Sequence, residues 1–264
     1  MGRIIAEVSD RVATAIISAP PMNALDAAMR AELAARIQEF EQDDTVRAIV
    51  LRGDGLKTFC SGFDLKELSA NLGSKDRSLA QLTNDALLFD RLANCPKPTV
   101  AAVEGAAFGG GLELAACCDF IVASDRSRFA LPEIKLGAIP AAGGTVRVTR
   151  RIGQTRATQL ILLGDAIDAA TALEWGLVTR VIAQASFAEE SFDFAKILAA
   201  LPPRATQYAK RAIIAAQNDS EDAALAIARE YAARLATSAD IAEGVRSFLG
   251  KRSPVFSDKL DREG

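Results

Sequence analysis

Three consecutive glycines, Gly109, Gly110 and Gly111, stand between an apolar run and an apolar helix start. They constrain the fold more than any other feature of the chain. The run VAAV at 100–103 has the length of a buried strand and ends close to Gly105. The glycines then permit a sharp turn and let a ligand approach the main chain closely. LELAA at 112–116 reads as the opening of a helix, with its unpaired N–H groups and positive dipole end at the glycines. Such a terminus suits a negatively charged oxygen. Glu113 falls in that first turn, and Glu133 follows Pro132 in a second apolar stretch. Two carboxyls in apolar surroundings beside an anion-seeking helix start make a candidate acid–base site.

The missing residue types narrow the chemistry further. The chain has 264 residues and no histidine. That excludes Ser-His-Asp and Cys-His nucleophilic catalysis, the H-E-x-x-H zinc site and most other zinc sites, so no metal is expected. The four cysteines, Cys60, Cys95, Cys117 and Cys118, form no C-x-x-C pair and read as thiols of a reduced, intracellular chain. A net charge of −3 without any basic block argues against a nucleic-acid partner. The first residues, MGRIIAEVSDRVAT, carry Arg3 and Glu7 inside their apolar run and do not read as a signal peptide. Ala6 lacks the hydroxyl of a myristoylation signal. No apolar run approaches the roughly 18–20 residues that span a bilayer. The expectation is a cytoplasmic protein with no membrane partner.

Hydrophobic spacing outlines the rest. RIIAEV at 3–8 and VATAIIS at 12–18 predict two strands with a turn at Ser9 and Asp10. Leu25, Met29, Leu33, Ile37 and Phe40 share one face of a helix over 26–42, and 46–51 is a buried strand. Strand, helix, strand in that order predicts a parallel unit with a right-handed crossover. Asp64 and Glu67 have capping-box spacing, which places a helix start just after Gly62 and Phe63. A helix over 77–93 precedes the glycine segment. After Gly144 come helices over 154–163 and 169–175, each stopped by a glycine, and a short strand over 177–182. Ser186 and Glu189 predict a capping box for a helix over 187–200, Pro202 and Pro203 break it, and three further helices fill 204–249. The division is an α/β core over 1–185, which carries the site, and a helical C-terminal region over 186–264. No G-x-G-x-x-G follows a strand and no phosphate loop is present, which argues against a Rossmann fold.

Two glycine turns, each at a helix start, offer two backbone N–H groups to one oxygen, the layout of an oxyanion hole. With two carboxyls beside them, the chemistry is proton transfer at the α-carbon of a carbonyl compound through an enolate.

These segments resemble the enoyl-CoA hydratase/isomerase (crotonase) family over nearly the whole chain. PPMNALDAAM is similar to the family's first turn and helix, and FCSGFDLKEL to its F-x-A/S-G-x-D-L-K-E segment. GGGLELAACCDFIVAS and FALPEIKLGAIPAAGGT match its two central motifs, and EWGLVTRVI and FLGKRSPVF its later landmarks. The resemblance implies a spiral of repeated ββα units with a helical C-terminal trimerisation region. It implies an acyl-CoA thioester substrate, coenzyme A present only as part of that substrate, and no permanently bound cofactor. It implies a homo-oligomer, a trimer or a dimer of trimers. Carried over by position, the oxyanion N–H groups fall on Phe63 and Gly110, and the two hydratase glutamates on Glu113 and Glu133. Ser61, Phe63, Asp64, Lys66, Gly110 and Lys251 fall at positions that contact the thioester or its coenzyme A, with Lys251 reaching from a neighbouring subunit.

The leading expectation is hydration of a 2-enoyl-CoA. The alternatives are a carnitinyl-CoA-type dehydratase or an enoyl-CoA isomerase of the same family, and, from another class, a non-catalytic binding or scaffold protein. Phe63 replaces the alanine common in fatty-acid enzymes of the family, which directs its ring to the acyl or pantetheine path. The segment SANLGSKDRSLAQLTND at 69–85 is expected to line the acyl pocket.

Overall fold

The computed structural model describes residues 2–70 and 72–262; Met1, Asn71, Glu263 and Gly264, which the readings of the N-terminus, the 69–85 segment and the C-terminal region include, lie outside the described residues. Strands β1 (Arg3–Ser9) and β2 (Val12–Ser18) form an antiparallel hairpin. Ser9 pairs with Val12, so the turn is Asp10-Arg11, one residue later than the sequence reading. Both turn residues have positive φ, 50° and 64°, as the twist-matched two-residue hairpin turn requires. Arginine seldom adopts that conformation, which hid the turn from inspection.

Helix α1 (Ala27–Gln42) starts where Asp26 accepts the Met29 N–H, and it buries Met29, Leu33, Ile37 and Phe40 as their spacing predicts. Strand β3 (Ala48–Gly53) then lies parallel to β2, closing the expected crossover. The chain continues through β4 (Thr58–Cys60), α2 (Leu65–Ala70), α3 (Lys75–Ala93), β5 (Thr99–Val103), β6 (Ala106–Phe108), α4 (Gly110–Cys117), β7 (Phe120–Ser124) and β8 (Arg128–Ala130). A 3-10 helix (Pro132–Leu136) and a π-helix (Gly144–Val148) lead into α5 (Thr149–Leu163), which kinks at Gly153. Strand β9 (Ile167–Asp168), α6 (Ala169–Glu174) and β10 (Arg180–Ile182) follow, then α7 (Phe187–Ala199), α8 (Pro203–Asn218), α9 (Glu221–Leu235) and α10 (Ala239–Leu249).

The strands sort into two sheets, a larger one in the order β1-β2-β3-β5-β7-β10 and a smaller one in the order β4-β6-β8-β9. Three successive circuits, opening on β3-β4, β5-β6 and β7-β8, each lay one strand in the larger sheet, one in the smaller, and then helix. That is the expected ββα spiral. The smaller sheet is absent from the sequence reading because strands of two or three residues are too short to show a period. Gly105 makes the step from β5 to β6 possible: its φ is +74°, and a Cβ there would stand 2.1 Å from the Lys57 carbonyl oxygen.

The larger sheet is buried on both faces. Ile49, Leu51, Ala101, Val103 and Ile121 face one cluster with α1, α3 and α4, whereas Val12, Val50, Val100, Ala102 and Val122 face another with Phe187, Ala195 and Leu198 of α7. Among the described residues, no helix is long and apolar enough to cross a membrane.

Neither predicted capping box forms. Asp64 accepts the Lys66 N–H at 2.7 Å, but Glu67 does not return to it, being taken up by Arg30 and the Ala27 N–H. Ser186 makes no cap bond to α7, because a 3-10 turn (Gln184–Ser186) precedes the helix and turns the Ser186 hydroxyl towards the Ala183 carbonyl. Helix α3 begins at Lys75, capped by Ser74, so most of the 69–85 segment is helix rather than loop.

Leu33 is fully buried at the centre of the α1 face. Leu33→Ala is expected to lower unfolding free energy by about 2–5 kcal/mol, the cost of a lost side chain plus its cavity. Chemical denaturation at fixed protein concentration measures it, and a change under 1 kcal/mol, about the worth of one methylene, would mean that α1 does not seal the core.

Candidate active site

The centre of the site is a contact of backbone against backbone. Helix α4 begins at Gly110, and all of its residues are buried. A Cβ on Gly111 would lie 2.0 Å from the Cys60 carbonyl oxygen, and one on Gly62 would lie 3.0 Å from the Gly110 nitrogen. Glycine at both positions therefore lets the end of β4 meet the start of α4 without side chains between them. The first N–H groups of α4 have no acceptor within the helix; the Glu113 N–H is the first to close, onto Gly109 at 3.0 Å.

Phe63 is oriented by an isolated bridge to Leu25. The Leu25 N–H donates to the Gly62 carbonyl at 2.8 Å, and the Asp64 N–H donates to the Leu25 carbonyl at 3.1 Å. These flanking groups face Leu25, so the strand alternation turns the Phe63 N–H to the opposite side. The Phe63 ring lies 3.3 Å from where a Gly110 Cβ would be. Its edge meets Phe89 with centroids 6.0 Å apart, so the ring is seated against the core as well as beside the glycine turn.

Glu113, in the first turn of α4, is 2% exposed. Its Oε1 accepts the Gly144 N–H at 2.8 Å. Burial pushes this carboxyl up to about 7; the Gly144 bond opposes that shift, and the nearby Glu133 charge adds to it. Glu133 comes from the 3-10 helix, just after Pro132. Its Oε1 lies 3.0 Å from the Cβ position of Gly109, and burial raises its pKa too. Its Oε2 is buried with no hydrogen-bond partner among the described residues. Such an orphan oxygen is uncommon in a native interior and is open to a ligand or a proton.

The four residues Phe63, Gly110, Glu113 and Glu133 thus converge on one glycine turn. The other candidates stand apart from the carboxyls. Ser61 is half-buried next to the turn, with its N–H on the Met22 carbonyl. Asp64 is spent on its local turn, Lys66 is exposed, and Lys251 is exposed just after α10 with φ of 50°. Sequence reasoning missed the Gly144 N–H that holds Glu113. The signal was the pair Gly143-Gly144: a Cβ on Gly144 would stand 3.1 Å from the Glu113 carboxylate oxygen. The four cysteines are buried free thiols, and burial pushes Cys60, Cys95 and Cys117 up to about 12, far from nucleophilic use. Among the described residues, no group of three or more Cys, Asp or Glu is placed to hold a metal ion.

Residues 7–259 match the family model described as enoyl-CoA hydratase/isomerase. The chain is 39% identical to a probable enoyl-CoA hydratase of Rhizobium meliloti, over 97% of this chain and 98% of the other. It is 35% identical to the 1,2-epoxyphenylacetyl-CoA isomerase of Escherichia coli, again over 97% and 98%. The crystal structure of an enoyl-CoA hydratase from Bacillus anthracis superposes with a TM-score of 0.91 at 30% identity, covering 96% of this chain and 98% of that one.

The raised Glu113 pKa has a consequence for stability. Between its ordinary 4.5 and about 7, the folded protein holds a proton that the unfolded chain has released, so stability falls as pH rises through this window. Glu113→Gln abolishes that dependence. Its stability relative to the parent is expected to grow by on the order of 3 kcal/mol between pH 4.5 and 8. Urea titrations of both proteins across this range measure it. A difference that does not change with pH would show that Glu113 ionises as it does in the unfolded chain.

Proposed function

The chain belongs to the enoyl-CoA hydratase/isomerase family, and from that premise we propose that it adds water reversibly across the 2,3 double bond of a 2-enoyl-CoA thioester. The observation that carries this reading is the presence of two carboxyls at one glycine turn, Glu113 buried and Glu133 half-buried, both with raised pKa. Addition of water needs a base for the attacking oxygen and an acid for the α-carbon, and two carboxyls supply both.

The thioester oxygen accepts the Phe63 and Gly110 N–H groups. As water attacks the β-carbon, electron density moves through the double bond onto that oxygen, where the two donors and the α4 terminus stabilise it. Glu113, ionised in part near neutral pH, takes a proton from the attacking water. Glu133, whose protonated form burial favours, delivers its proton to the α-carbon as the enolate collapses. One proton is gained and one lost, and transfer between the two carboxyls restores the starting state.

Ser61, Asp64, Lys66 and, from a neighbouring subunit, Lys251 contact the coenzyme A part of the substrate in this reading, which requires no resident cofactor. The helical region over 186–264 is the assembly region, with α7 kept on the core and α8–α10 presented to other subunits. Phe248 and Leu249 at the end of α10 are 85% and 76% exposed, which supports a covered surface in a trimer or a pair of trimers. The buried free thiols support work in the reducing cytoplasm. Isomerisation is the second reading. The Escherichia coli relative is named as an isomerase, and one carboxyl such as Glu133, with its unpartnered oxygen, suffices to carry a proton from one carbon to another.

Glu113→Gln and Glu133→Gln are each expected to lower hydration by roughly 10²–10⁴-fold, with much less effect on thioester affinity. The double variant falls far short of the product of the two losses, because the groups act together. Steady-state turnover of a panel of 2-enoyl-CoA thioesters measures both effects. Full hydration by Glu113→Gln would end the two-carboxyl mechanism; loss of hydration with retained double-bond migration would select the isomerase reading.

Light scattering at micromolar concentration is expected to give the mass of three or six chains. A stable monomer would remove both the assembly role of α8–α10 and the contribution of Lys251 from a neighbour.

A further inference from the structure

Arg30 lies on the buried face of α1 among aliphatic side chains and is only 4% exposed. Its guanidinium uses every side of its fork. Nη1 donates to the Leu25 carbonyl at 2.8 Å, and Nε donates to Asp85 Oδ1 at 2.6 Å. Nη2 and Nη1 donate to the two carboxylate oxygens of Glu67 at 2.9 and 3.2 Å. Its carbon stands 4.9 Å from the centre of the Phe63 ring. One cation thus joins α1, the strand residue Leu25, helix α2 through Glu67 and helix α3 through Asp85.

The Leu25 carbonyl is the important partner. The same oxygen accepts the Asp64 N–H, and the Leu25 N–H donates to Gly62. Those bonds fix the peptide planes on either side of Phe63, and the cation over the ring fixes its side chain. An ion pair in such a place is costly: a hydrophobic residue of similar size often stabilises a fold as well or better. What arginine provides here is direction, a planar fork that cannot rotate without breaking several bonds.

We propose that Arg30 is the positioning residue that aims the Phe63 N–H at the thioester oxygen, and that it couples this donor to α2 and α3. The proposal rests on the reading of Phe63 as an oxyanion donor. Arg30 touches neither substrate nor reacting atoms. It acts through Leu25 and the Phe63 ring, so its loss should weaken polarisation of the carbonyl while leaving the coenzyme A contacts in place.

The test uses the full chain and a 3-arylacryloyl-CoA thioester, whose conjugated absorption band moves to longer wavelength when its carbonyl is polarised by hydrogen bonds. Wild-type protein is expected to shift the band. Arg30→Met and Arg30→Lys are expected to bind the probe with affinity within about threefold and to lose most of the shift. Their kcat for hydration is expected to fall by about 10–100-fold at nearly constant KM, the scale of a misaimed donor. Arg30→Lys keeps a cation beside Glu67 and Asp85 but lacks the fork, so it reads the proposal even where Arg30→Met does not fold. A full band shift and unchanged kcat in folded Arg30→Lys would overturn the proposal and leave Arg30 a purely structural residue. A wild-type protein that neither shifts the band nor turns over enoyl thioesters would instead fail the functional reading itself, and this proposal with it.

Discussion

The structure depends on one close contact, where the end of β4 meets the start of α4. Gly62 and Gly111 bring two main chains together: a Cβ on Gly111 would stand 2.0 Å from the Cys60 carbonyl oxygen, and Gly62 has a φ of +102° that side chains rarely adopt. This contact joins the smaller sheet to a fully buried helix. It also leaves the unpaired N–H groups of that helix at the bottom of a turn rather than in solvent. Everything chemical is then a matter of what surrounds the turn.

What surrounds it is electrostatically expensive. Glu113 is inside the core, and Glu133 has a buried oxygen with no partner among the described residues. Burial makes ionisation of both carboxyls harder, and the Glu133 charge adds to that effect at Glu113. The fold offers limited compensation: one N–H from Gly144 at Glu113 and the dipole of a short helix. A site that is left under-compensated in this way favours the protonated form of its carboxyls beyond the ordinary carboxylate range, which suits acid–base work.

Much of this was legible in the sequence, for unequal reasons. Helix α1 was clear because five apolar residues repeat at helical spacing over four turns. The glycine turn and both glutamates were clear because each is exceptional in an apolar setting. The smaller sheet was not, because β4, β6, β8 and β9 have two or three residues each and draw their stability from neighbours rather than from pattern. The capping boxes misled because spacing shows what a carboxylate can reach, not which donor competes for it. For Glu67 a buried arginine 37 residues away in the sequence is the stronger partner. The Gly144 bond to Glu113 spans 31 residues and has no local signature beyond a glycine pair.

The two-faced larger sheet has a consequence for how such a chain can change over generations. Neighbouring residues of one strand point to different neighbourhoods: Ile49 and Leu51 towards the cluster that includes α4, Ala48 and Val50 towards α7. Substitutions arriving on the α7 side are accommodated by repacking among Phe187, Ala195 and Leu198, with the backbone of the sheet as a partition. Changes in that second core are thereby buffered from the glycine turn, which lies against the first. The strand alternation that builds the core also separates two histories within a single chain.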